Sequence, residues 1–351
     1  MRDVAIASFA QTKYLRSQVE LTEVDMLIPV IREAIEKSGI PKPEIGFYCH
    51  GSSDYMAGQS FAFVGAVDAL GAVPPIAESH VEMDGAWALY EAWVKIQCGE
   101  IDSAIAFGFG RASMGKLRET MNLQLDPYTL GPLGLDSISM AALQARAMID
   151  AGKISEEQMA EIAIRNRRVA QDNPAAQVTG DFEAAKLLAD PYLVSPLRKH
   201  DCPPISDGVS AVVLAAGNAI GRSAAKPVFI RGIDHRLDSH QLGGRDLTVS
   251  SSTKLAGDKA GVHDGPVEFA ELHAPFSHQE AILKSALGLG DEVLINPSGG
   301  ALAANPMMTA GLTRIGEAAM HIAAGKAGRG LAHATSGPCL QQNLVCVLEG
   351  E

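Results

Sequence analysis

The residues able to do chemistry cluster in a few short stretches. His80-Val81-Glu82-Met83-Asp84-Gly85 runs into an Ala-rich helical pattern. A carboxylate at such a point favours the positive end of the helix dipole. Glu82, if buried among apolar neighbours, would gain a raised pKa and serve as a general acid or base. Asp84, in the same turn, reads as a helix cap. His273 lies in the turn-like stretch Glu271-Leu272-His273-Ala274-Pro275-Phe276. Asn305, just before Pro306, offers an amide NH2, a donor that does not titrate. His240, Gly243, Gly244, Arg245 and Asp246 lead into hydroxyls that include Ser250 and Ser251. The paired glycines there suit close approach of a backbone to a ligand. His200-Asp201 is a tempting catalytic pair, yet its setting, RKHDCPPISDG, reads as a structural turn with Cys202 as a small buried apolar group. Tyr128 could supply a phenol for proton transfer, whereas Trp87, Tyr90 and Trp93 read as core.

Composition bounds the chemistry. The chain has 351 residues, 47% of them hydrophobic and 20% charged, as in folded globular proteins. With 29 Lys and Arg against 41 Asp and Glu, the net charge of −12 disfavours a phosphate backbone, so no nucleic-acid partner is expected. The five cysteines run from Cys49 to Cys346 without a C-x-x-C spacing, which excludes a disulfide framework and a zinc ribbon. No metal site is predicted. The N-terminal apolar stretch turns polar after about nine residues, too short for a signal peptide. No apolar run is long enough to span a membrane. The expectation is a cytoplasmic protein without a membrane span.

The elements that must position these residues follow an alternating β/α pattern. VAIASF, SAIAFGFG (103–110) and SAVVLAAG (210–217) read as buried strands. EVDMLIPVIREAIEKSGI reads as an amphipathic helix ending at Gly39. Residues 113–200 read as an excursion from the core, with a helix capped by Ser155. Residues 233–267, rich in Gly, Ser and Asp, read as long loops. An internal repeat is visible. Gly85 and Gly99 are separated as Gly311 and Gly325 are, each pair leads into a strand, and Ala69-Leu70-Gly71 upstream matches Ala286-Leu287-Gly288. This predicts a duplicated β–helix–β unit whose two central helices, rich in small residues, pack on each other.

Three segments in order, SPLRKHDCPPISDGVSAVVLA (195–215), AELHAPFSHQEAIL (270–283) and NPSGGALAANPMMTAG (296–311), resemble the thiolase superfamily. The likeness is greatest to the sterol carrier protein-type, or lipid-transfer-protein, thiolases, and it spans nearly the whole chain. The second segment is similar to a motif written H-D-x-F or N-E-x-F, the third to N-x-x-G-G…G-H-P-x-G-x-x-G. The resemblance implies a five-layer α/β/α/β/α thiolase fold. Its N-terminal half would cover 1–218, with a loop domain at about 113–200, and its C-terminal half 219–351. The family nucleophile, a cysteine in C-x-[ST]-G, falls on Glu82 when counted back from Gly85. The G-H-P histidine falls on Asn305. The second cysteine falls near Gly337, two positions from Cys339. Only the His273 position is kept, and with Asn305 it would form an oxyanion site. His240, Gly243, Gly244, Arg245, Ser250 and Ser251 would hold coenzyme A.

The resemblance leaves three functions open. One is retro-aldol cleavage of a β-hydroxyacyl-CoA, as in steroid or lipid side-chain degradation, with no cofactor beyond the coenzyme A of the substrate. The second is a non-catalytic acyl-CoA or lipid-binding scaffold. The third is an acyltransferase, of the acetyl-CoA acetyltransferase kind, with a rearranged nucleophile such as Cys339. The implied partners are an acyl-CoA, a second copy in a homodimer, and a small zinc-ribbon/OB-fold protein.

Overall fold

The computed structural model describes residues 1–58 and 60–351. Its strands are β1 (Val4–Gln11), β2 (Phe47–Gly51), β3 (Glu78–Val81), β4 (Ser103–Arg111), β5 (Tyr192–Val194), β6 (Leu197–Arg198), β7 (Asp207–Ala216), β8 (Val228–Leu237), β9 (Phe269–Leu272), β10 (Leu294–Ile295), β11 (Arg329–Ser336) and β12 (Gln342–Gly350). The first half orders them β1-β7-β4-β2-β3 and the second β8-β12-β11-β9-β10. This is one topology used twice. The pairing senses repeat as well. β2 is parallel to β3 and β4, as β9 is to β10 and β11. β7 and β12 run antiparallel to both of their neighbours. The half-sheets join through a short contact of β1 with β8, Ala5 opposite Phe229 and Ile6 opposite Val228.

Strand alternation sorts the side chains into layers. On β7, Val212 and Leu214 face the central layer, while Val209, Ala211 and Val213 face the outer helix Glu23–Ser38. That helix begins at a capping box on Thr22 and ends at Gly39 in the left-handed region, as its amphipathic spacing predicts. On β12, Leu344 and Cys346 face the centre. Val345 and Val347 face the outer helices Ser251–Ala260 and Ser277–Leu287 of the second half. Two helices fill the middle, Gly85–Gln97 and Ala310–Ala323. The result is the α/β/α/β/α arrangement expected of a duplicated α/β half.

Glycine at the two central helix starts permits close approach, of Gly85 to the other helix and of Gly311 to β11. A Cβ on Gly85 would lie 2.9 Å from Leu312, and one on Gly311 2.5 Å from the Ala334 Cβ. Asp84 caps both helices. Its buried carboxylate accepts the N–H of Ala86 in its own helix, and those of Gly311 and Leu312 in the other, each at 2.9 Å. The N–H of Gly85 in turn donates to the Met308 carbonyl, 2.9 Å away.

Between β4 and β7 lie the helices Leu117–Asn122, Ser137–Asp150, Glu156–Val169 and Ala184–Ala189 and the β5–β6 hairpin. Ser155 caps the third of these, as predicted. This excursion packs on the second half. Met148 and Met159 share a cluster with Ile282 and Leu283, and Asn166 Nδ2 donates to Glu280 at 3.2 Å. Residues 233–267 do not form one long loop. β8 runs on to Leu237, and Ser251–Ala260 is a helix. Its outer face carries Ser251, Lys254, Asp258 and Lys259 with an exposed Leu255, and it buries Thr253, Ala256 and Gly257, so the buried stripe carries no large side chain that would betray it. Among the described residues, no helix is long and apolar enough to cross a membrane.

Replacing Asp84 tests the double cap. Asp84→Ala removes one acceptor shared by three buried N–H groups and should lower unfolding stability by about 3 kcal/mol or more, with Asp84→Asn falling between. Urea unfolding followed by far-UV circular dichroism measures this. A loss no larger than that of a surface Asp→Ala control would exclude Asp84 as the tie between the helices.

Candidate active site

A cavity of about 1080 Å³ opens where the N-terminal ends of the central helices meet the loops after β9 and β11. His273, Asn305 and Glu82 all line it, together with Met83, Asp84, Thr335 and Cys339.

His273 follows directly on β9 and is 6% exposed. Its own N–H donates to the His333 carbonyl on β11, 3.2 Å away. The Thr335 N–H donates to its Nδ1 at 3.3 Å. With Nδ1 accepting, the ring proton sits on Nε2, which lies 2.9 Å from Asn305 Oδ1 and donates to it. That bond fixes the amide orientation. Oδ1 is turned to the histidine, and the NH2 group is left as a donor toward the cavity. Burial pushes the His273 pKa down to about 3, against the opposing effect of Asn305, so the ring is neutral at physiological pH.

Asn305 is held by its own backbone. Its N–H donates to Ser206 Oγ at 3.0 Å, and Ser206 pairs with Pro306 in an isolated bridge. The following loop lies flat on β4 because Gly108 and Gly110 are there. A Cβ on Gly108 would come within 2.6 Å of the Met308 carbonyl, and one on Gly110 within 2.4 Å of that of Met307. The glycines of SAIAFGFG therefore make room for the loop that carries Asn305.

Glu82 is exposed at the cavity edge rather than buried. One carboxylate oxygen accepts the Asp54 N–H at 2.6 Å. The helix beside it is capped by Asp84, so Glu82 is not the cap. Cys339 is buried, and its thiol donates to the Met140 carbonyl at 3.3 Å. Burial pushes its pKa up to about 12, with Arg245 opposing, which keeps it a thiol.

The second predicted group is dispersed. His240 lines the cavity. Gly243 and Gly244 sit in an exposed turn, Leu242–Gly244. Arg245 is occupied by the protein itself and donates to the carbonyls of Pro338 at 2.7 Å and Cys339 at 3.0 Å. It thereby holds a loop in which Cys339 and Leu340 have φ of 54° and 58°. Ser250 is the buried N-cap of Ser251–Ala260, and Ser251 is that helix's exposed first residue. Tyr128 is 89% exposed and does not line the cavity. His200 and Asp201 form a buried 3-10 turn, with Asp201 accepting from Ser277 Oγ at 2.7 Å. Sequence reasoning missed Thr335 and Ser206. Thr335 acts through its backbone, and Ser206 through a hydroxyl that no motif marks.

The model of the thiolase N-terminal domain matches residues 4–183, and the chain belongs to the thiolase family. It is 24% identical to the benzoylsuccinyl-CoA thiolase subunit BbsB of Thauera aromatica, over 90% of this chain and 87% of that one. It is 25% identical to an acetyl-CoA acetyltransferase of Methanothermobacter thermautotrophicus, over 94% and 93%. Sterol carrier protein 2 of Gallus gallus is 24% identical over 90% of this chain, which spans 65% of that longer protein. Among solved structures, one titled Ltp2-ChsH2(DUF35) aldolase superposes with a TM-score of 0.83, covering 99% of this chain and 98% of its own at 18% identity. That likeness shows a shared fold.

The buried histidines predict a pH dependence. Burial lowers His273 and His278 to about 3, and His50 and His333 to about 4. Each native pKa is depressed below the unfolded value, so the stabilisation is full above about pH 6.5 and is lost as the pH falls toward 4 and 3. Glu271, pushed up to about 7 chiefly by burial, and Asp84, also raised by burial, work in the opposite direction. Because the four buried histidines outnumber the two buried carboxyls, unfolding between pH 6.5 and 5 should take up protons on balance. Urea titrations at several pH values measure this, and stability that stays flat or rises on acidification would contradict it.

Proposed function

We propose that the protein is a thiolase-fold carbon–carbon lyase that cleaves a β-hydroxyacyl-CoA by a retro-aldol step. The observation that carries this reading is the pairing of a fixed amide donor, the Asn305 NH2, with a cavity whose two thiols among the described residues, Cys202 and Cys339, are both kept protonated by burial. A retro-aldol reaction needs an acceptor for the β-hydroxyl proton and a donor for the enolate oxygen, but no covalent thioester. Glu82 takes the hydroxyl proton. The Cα–Cβ bond breaks, and a ketone or aldehyde leaves. The electron pair passes to the thioester oxygen as an enolate held by Asn305. Return of that proton from Glu82 to Cα then releases the shorter acyl-CoA and leaves Glu82 ionised again. His273 acts through Asn305 by holding the amide oxygen. The likeness to a structure titled as an aldolase supports the reading. The open cavity, with polar groups on its wall, weighs against a scaffold without chemistry.

The names of the sequence relatives, a thiolase subunit and acetyltransferases, favour acyl transfer as the second reading. It would need a nucleophile, and two buried thiols line the cavity, Cys339 and Cys202. Assembly belongs to the proposal too: a homodimer in the cytoplasm, and a small partner protein, since the similar solved structure's title pairs Ltp2 with ChsH2(DUF35). The coenzyme A of the substrate would run past His240 toward Gly243, Gly244 and Ser251, with Arg245 and Ser250 acting only by holding the loop and helix beside it.

Release of a short acyl-CoA from β-hydroxyacyl-CoA thioesters, with and without a partner protein, tests the two readings. Asn305→Ala should lower kcat about 100- to 1000-fold, the usual loss of one oxyanion donor. Asn305→Asp should be worse, because a carboxylate repels an enolate. Glu82→Gln should abolish turnover while leaving substrate affinity near wild type. Thiol alkylation should leave cleavage intact. Full inactivation by the reagent, with an acyl group trapped on Cys339, would favour acyl transfer instead.

A further inference from the structure

Arg167 projects from the helix Glu156–Val169 into the cavity wall and is 7% exposed. Charged groups are taken out of water this far only when something offsets the loss of hydration. Its contacts do not neutralise it. Nη2 donates to the His200 carbonyl at 3.2 Å, and Nε to the Leu302 carbonyl at 3.5 Å. The Phe182 ring lies 5.5 Å from the guanidinium carbon. Carbonyls and an aromatic face orient a guanidinium without cancelling its charge. Among the described residues, no carboxylate is in ion-pair contact with it, at 4.0 Å or less. Asp201 acts on it from further away, but its oxygens already accept from Ser277 Oγ and the Arg198 N–H. Nη1 has no protein partner among the described residues, and it is not among the atoms sealed away from solvent. Burial loosens the hold of Arg167 on its proton, which an anionic neighbour would restore.

Val178, Phe182 and Leu187 face the same cavity, and the other cations that line it, Arg16, Arg118 and Lys199, are exposed, so Arg167 is the buried cation of this wall. One buried, oriented cation beside apolar side chains suits a singly charged oxyanion on an apolar stem better than a multiply charged, strongly hydrated phosphate, which the exposed cations would serve. We propose that Arg167 recognises a carboxylate on the acyl part of the substrate, so that the cavity selects CoA thioesters of dicarboxylic acids. The inference deepens the proposed function and rests on its claim that the cavity takes an acyl-CoA.

Calorimetric binding of matched pairs tests it: succinyl-, adipoyl- and suberoyl-CoA against butyryl-, hexanoyl- and octanoyl-CoA, with free CoA as a further probe. The wild-type protein should bind at least one carboxylated thioester about tenfold or more tightly than its alkyl partner. Arg167→Met should erase that preference and leave the alkyl series and free CoA unchanged. Arg167→Lys should retain part of it. The wild-type comparison stands even if a variant fails to fold. Binding of the alkyl series with no preference at any length overturns this inference alone. Equal weakening of all ligands, free CoA included, by Arg167→Met puts the guanidinium on a CoA phosphate and also overturns it. No binding by any thioester overturns both this inference and the function on which it rests.

Discussion

The Asp84 carboxylate accepts backbone N–H groups from two helices at once, and this contact fixes where both central helices begin. The consequences spread outward. With the helix starts tied together, the loop before the second helix must turn back over β4, and Gly108 and Gly110 leave space for it. That loop carries Asn305. The same contact has a chemical cost. The N–H groups at a helix start form a ready anion site, and here Asp84 already draws on those of Ala86, Gly311 and Leu312. A thiolate beside the first helix would have to share them with a fixed negative charge.

On the proposed function, activation of the thioester carbonyl comes from elsewhere, from neutral groups. The Thr335 N–H selects the His273 tautomer, His273 selects the Asn305 rotamer, and the amide NH2 is what remains for a ligand. Each link is a hydrogen bond between buried groups, where a misplaced donor would be costly. Because none of the three groups carries charge at neutral pH, the donor stays the same across the physiological range.

Much of this was legible in the sequence, and the reasons are specific. The duplication shows because backbone constraints repeat. Gly71 and Gly288 both end helices in the left-handed region, with φ of 62° and 64°. Gly85 and Gly311 both sit where no side chain fits. His273 and Asn305 were identifiable from motif positions, and the structure places them in contact. Glu82 was found by counting, but its exposure was not, since burial depends on how the Asp54–Ala57 helix is placed. Arg245 reads in the sequence as a ligand contact, yet it serves carbonyls nearly a hundred positions away, a pairing that local pattern does not encode. The Ser251–Ala260 helix was hidden because its buried face is made of Thr, Ala and Gly.

Polarisation of the thioester by the Asn305 amide is the centre of the account. Isotope-edited infrared spectroscopy of an acyl-CoA labelled at the thioester carbonyl measures it directly in the bound state. The account predicts a carbonyl stretch shifted to lower frequency on binding to the wild-type protein, with that shift lost in Asn305→Ala and reduced in His273→Ala. An identical stretch in wild type and Asn305→Ala, with ligand shown to be bound in both, would contradict it.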